Sequence, residues 1–186
     1  EVLTVSAYYY LVSSLPMLRF DDRAPFASDT FLQLCKQHAS HADFMLIEKT
    51  HYRSTGNEIF RHPLLEAWHR FWHATNLLLT QERSRKLGVE SERYKVGSMA
   101  AQADSTDVVR AVMSAEHPLQ AETMLLESCW KKLDWMGANH LFDIEFLLVY
   151  RMKLQVLERK DLFTPLEGNA EFKRLFSNLQ TTIKSL

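Results

Sequence analysis

Residues 117–160 read HPLQAETMLLESCWKKLDWMGANHLFDIEFLLVYRMKLQVLERK. Two helices are written there, separated by a break at Gly137-Ala138-Asn139. His117-Pro118 opens the first, since proline is favoured at the first helical position, where its missing N–H would have no partner anyway. The second begins with Leu141, Phe142, Ile144, Phe146, Leu147, Leu148, Val149 and Tyr150, apolar almost all round. A helix apolar on every side is buried on every side. A membrane span needs about 20 apolar residues, and Arg151 and Lys153 end this run well short of that. The segment predicts the centre of a water-soluble helical core.

Working outward, His62-Pro63 carries the same opening device. The helix it starts is expected to run to Lys86, with Gly88 just past its end as a C-cap. Leu64, Leu65, Trp68, Phe71, Trp72, Leu78 and Leu79 form its apolar stripe, and Arg83, Arg85 and Lys86 suit the negative end of its dipole. Ser28 reads as the N-cap of a short helix carrying Phe31, Leu32, Leu34 and Cys35. Further helices are expected over residues 41–51, 104–115 and 169–183. Trp130 and Trp135 are expected in the core with Trp68 and Trp72. Residues 3–11 alternate, with Leu3, Val5, Ala7, Tyr9 and Leu11 on one side and Thr4, Ser6, Tyr8 and Tyr10 on the other. Period two predicts an extended or β-like arm. The fold class is therefore all-α, a compact multi-helix bundle with an extended or β-like N-terminal arm. The chain reads as one helical domain, 1–186, with lobes at 19–88 and 104–186 joined by 89–103.

Composition agrees. The chain has 186 residues and is 46% hydrophobic, enough for a real core. Five Gly and five Pro favour long helices over a turn-rich β fold. A formal net charge of −1 argues against nucleic acid as the main partner, because phosphate binding needs a basic footprint. Cys35 and Cys129 lack any C-x-x-C partner and read as reduced core thiols. The apolar amino end has no basic lead-in, so no secretory leader is expected, and no other stretch is long enough for a transmembrane segment.

Eight histidines raise the question of a metal. His62, Glu66, His69 and His73, at spacings of four, three and four, share one helix face. Glu66-x-x-His69 also has the spacing of one half of a di-iron bundle motif, which needs a second Glu-x-x-His, and none is expected to complete it. At 100° per residue the stripe points about 150° from the Trp68/Trp72 face, so a solvated surface is the favoured reading over a metal site. No G-x-S-x-G, phosphate loop, H-E-x-x-H or kinase loop occurs, and neither a cofactor nor a catalytic residue is expected.

Four blocks carry a resemblance. YYYLVSSLPML (8–18), WHRFWHATNLLLTQERSRKLG (68–88), HPLQAETMLLESCWKKLDWM (117–136) and FDIEFLLVYRMKLQVLERK (142–160) are similar to a small bacterial family encoded beside the subunits of V/A-type ATPases. Glu167-Gly168 and Glu171-Phe172 fit as well. The resemblance implies a role like that of the pump's C-type connector, called d-type in the eukaryotic V-type ATPase. That connector is an all-helical, non-catalytic link between the central rotor shaft and the membrane c-ring. The resemblance also implies ATPase subunits as partners and a cytoplasmic place, peripheral on the inner face of the membrane. The N-terminal arm and the loop at 94–99 are the expected contact regions. A homo-oligomer built through the apolar arm, and a helical metal-binding enzyme using the His62 face, are the other readings the residues leave open.

Overall fold

In the computed structural model the described residues are 2–54, 62–88 and 103–163, and every regular element among them is an α-helix. In chain order these are α1 (Val2–Ser14), α2 (Ser28–His38), α3 (His41–Lys49), α4 (Pro63–Lys86), α5 (Ala103–Met113), α6 (Pro118–Gly137) and α7 (Ile144–Asp161). The expected 169–183 helix, the 94–99 loop and the Glu167 to Phe172 matches lie outside the described residues. No described helix is long and apolar enough to cross a membrane.

The helix starts and stops follow local chemistry. Pro63 and Pro118 occupy the first turns of α4 and α6, as the His-Pro pairs predict. His117 also caps α6, its Nδ1 accepting from the Gln120 amide at 3.1 Å. His62 makes no such bond and its ring is used elsewhere. Past α4, Gly88 adopts φ +66°, the left-handed conformation that favours glycine. Asp143 caps α7 by accepting from Phe146 N at 3.0 Å, and Ser40 caps α3 by accepting from Asp43 N at 3.2 Å. Gly137 lets the end of α6 approach α7, for a Cβ there would stand 3.1 Å from Val149 Cγ1.

α7 is the core helix. Leu147, Leu148, Met152, Leu154, Val156 and Leu157 are fully buried, each worth about 1.5–3 kcal/mol of apolar transfer. Burial runs beyond the expected end of the apolar stretch, through Arg151 and Gln155. It also starts later: Leu141 is exposed and precedes the helix, and Phe142 is half-buried. From α4 to α7 each helix packs on the next, while α7 also meets α2 and α3. Phe31, Ile47, Trp68, Trp72, Trp130 and Leu147 belong to one core cluster. Polar groups then tie the N-terminal segment to α7. Tyr150 Oη donates to Pro16 O at 3.0 Å, the Ala24 amide to Asp161 Oδ2 at 2.9 Å, and Lys160 Nζ to Asp22 O at 2.8 Å.

Three expectations are corrected. The N-terminal arm is a helix, not an extended or β-like segment. A lone strand leaves its ladder groups unpaired, whereas a helix satisfies its own. Tyr8 and Leu11, on opposite sides of the alternation, share a helical face and are both buried, while Tyr9 and Tyr10 are exposed. Ser28 is not the N-cap of α2; Ala27 is. Glu158 of α7 takes over the capping job, accepting from Ser28 N at 2.6 Å and Ser28 Oγ at 2.5 Å. Its carboxylate lies where the helix dipole is positive. Trp135 is 73% exposed and not in the core. It stands near the carboxyl end of α6, with Lys132 Nζ 4.4 Å from its ring centroid.

Cys35 and Cys129 are buried and unbonded, as expected of core thiols. Burial pushes both thiols up to about 12. A thiol so raised stays protonated and unreactive near neutral pH.

Candidate functional site

Four of the exposed large apolar side chains lie around α1 and the α6–α7 turn. Tyr9, Tyr10, Met17 and Leu141 are 51, 71, 81 and 66% exposed. Tyr9 leans on Phe142 with ring centroids 4.9 Å apart, joining the arm to the turn. Beside them lies a groove of about 430 Å³ whose walls include Leu15, Met17, Leu141, Phe146 and Val149. Asp134 and Lys153 form an ion pair at its edge. An apolar floor with a charged rim is the composition of a protein-binding patch. The helical rather than extended arm creates this face: one side of α1 anchors in the core through Tyr8 and Leu11, and the other turns Tyr9 and Tyr10 outward. Tyr8 is fixed by donating its hydroxyl to Asp43 of α3. Burial and that carboxylate raise its pKa, so the phenol remains a donor.

A second cavity, about 480 Å³, lies between the start of α4, the end of α6 and the start of α7. Its walls include Leu64, Ala67, Trp135 and Met136, with Arg70 and Lys132 at its polar side. His62, His140 and Glu145 also line it.

The sequence-derived stripe does not converge on a ligand set. Glu66 is exposed, and His62, His69 and His73 are half-buried. His69 and His73 stack with centroids 6.0 Å apart, and His69 Nε2 and His73 Nδ1 are buried without hydrogen-bond partners. His62 points to α7 instead, with Nε2 3.5 Å from Glu145 Oε1. Against the expectation of no second Glu-x-x-His, Glu48-x-x-His51 has that spacing, but both side chains are exposed and the His51 ring stacks on Tyr52. Among the described residues the His, Cys, Asp and Glu side chains that gather in a group of three are His140, Asp143 and Glu145. Sequence spacing missed this group because its members lie in a turn and a helix start. The signal available was the density of polar, ligand-type residues in HLFDIE at 140–145.

Fold and surface thus define, over the described residues, an all-α bundle with an exposed aromatic face and a cavity that carries His62, His140 and Glu145 on its wall. Comparison of the chain with protein-family models, curated proteins and solved structures returns no match.

Proposed function

We propose that this chain is a non-catalytic connector or assembly subunit of a bacterial V/A-type ATPase, like the C-type connector, linking the central rotor shaft to the membrane c-ring. Its place is the cytoplasmic side, peripheral on the inner face of the membrane. The observation that carries the reading is the Tyr9–Tyr10–Met17–Leu141 face, because two of the blocks with the ATPase-linked resemblance, 8–18 and 142–160, meet there. Tyr9 touches Phe142, and Tyr150 bonds to Pro16, across those two blocks. A connector also needs rigidity, and helices locked around a close-packed core supply it.

The test is to mix the purified chain with the shaft subunits of its own ATPase and to measure mass by light scattering during size-exclusion chromatography. A stable one-to-one complex is expected. Separate elution beside demonstrably folded shaft subunits would contradict the connector role.

A further inference from the structure

We propose that His140, Asp143 and Glu145, with His62 beside Glu145, form a binding site for one divalent transition-metal ion, and that zinc fits the donor set. The inference stands on its own geometry and does not depend on the connector reading. Two imidazoles and two carboxylates are the nitrogen and oxygen donors that zinc accepts. They come from separate parts of the chain: the residue before α4, the α6–α7 turn, and the start of α7.

The distances suit a shared ion. One donor atom from each of His140, Asp143 and Glu145 lies within 4.8 Å of the other two. Glu145 is bracketed, with Oε1 3.5 Å from His62 Nε2 and Oε2 4.0 Å from His140 Nδ1. Tetrahedral zinc, with bonds of about 2.0–2.2 Å, sets its donors about 3.3 Å apart. The two contacts to Glu145 need only small side-chain shifts to reach that spacing. His140 Nδ1 and Asp143 Oδ2, at 2.6 Å, are hydrogen-bonded, and this bond would open to admit the ion between them.

The donors are held in place. His62 is followed by Pro63, which fixes the backbone at the helix start. Asp143 Oδ1 is tied to the Phe146 amide at 3.0 Å, and His140 N donates to Gly137 O at 3.0 Å. The His62 side chain is only 15% exposed, and Nε2 is its ring atom that faces Glu145. Helix capping does not explain this histidine, since His117 caps its helix from the same dipeptide and His62 does not. The cluster also opens on the 480 Å³ cavity, which gives an ion an entry path and room for a water or external ligand.

The experiment is zinc titration of the full chain after dialysis against chelator, read by competition with a chromophoric chelator and by metal content after gel filtration. One equivalent bound with a dissociation constant of about 10 μM or tighter is expected. Glu145→Gln and His140→Ala should each weaken it by about tenfold or more, and His62→Ala should weaken it as well. His69→Ala/His73→Ala should leave it unchanged. At a fixed zinc concentration the melting temperature should rise more in the wild type than in Glu145→Gln, whose isosteric amide preserves the fold and so separates weakened binding from lost structure. No stoichiometric zinc on folded wild-type protein, or binding undiminished in Glu145→Gln and His140→Ala, would overturn the assignment.

Discussion

Gln155 lies on the most buried helix among the described residues, and both ends of its amide are in use. Its Oε1 accepts from Tyr52 N at 3.0 Å, and its Nε2 donates to Thr50 O at 3.1 Å. Trp68 Nε1 donates to Tyr52 O at 3.0 Å, so this short turn is clamped between α4 and α7. Thr50 and Tyr52 are themselves buried, and water cannot replace a lost bond. Gln155→Leu would strand one backbone N–H and one C=O, at about 1–3 kcal/mol each. The expected result is a loss of about 2–5 kcal/mol by urea unfolding at unchanged m-value; unchanged stability would show that the clamp contributes nothing. Its partners are 103 and 105 residues away, so the sequence carries no local sign of the clamp. Arg151 is similar. Its charge ends an apolar run on paper, yet the side chain is buried, with Nε and Nη1 lacking partners. His62 and His117 show the limit most clearly, since one dipeptide opens both helices while one ring caps and the other faces Glu145.

At the scale of elements, what is legible in the sequence is local. Pro63, Gly88 and Pro118 act through their own backbone geometry, so the bounds of α4 and the start of α6 follow from the chain alone. The α7 core follows from its apolar density. What depends on a distant element is not legible. The capping of α2 is supplied by Glu158, 130 residues away, and Ser28 can only be read as capping itself. In the arm, alternation over nine residues fits a strand and does not exclude a helix face made by Tyr8 and Leu11. The helical arm makes a sharp prediction. Leu11 is 1% exposed, so Leu11→Ala should cost about 2–5 kcal/mol by chemical denaturation. A cost below about 0.5 kcal/mol, usual for surface sites, would mean that α1 is not docked. The candidate sites are less legible than the fold, because an exposed face and the contact of His62 with Glu145 are products of packing and not of spacing.

For the whole molecule, one side of α1 and the α6–α7 turn presents aromatic and apolar groups, while α7 holds the rest rigid behind them. Such a face is costly to leave in water and fits a partner that covers it. The proposed zinc site lies in the same turn, since His140 lines both the groove beside this face and the neighbouring cavity. The most direct test is a calorimetric titration of the shaft subunits into the chain at several temperatures. Saturable one-to-one binding with a negative heat-capacity change is predicted, the signature of apolar burial. Tyr10→Ser/Leu141→Ser should weaken it by about tenfold or more, as loss of central aromatic contacts does. Absence of binding to folded shaft subunits, or an affinity untouched by the double substitution, would contradict docking through this face.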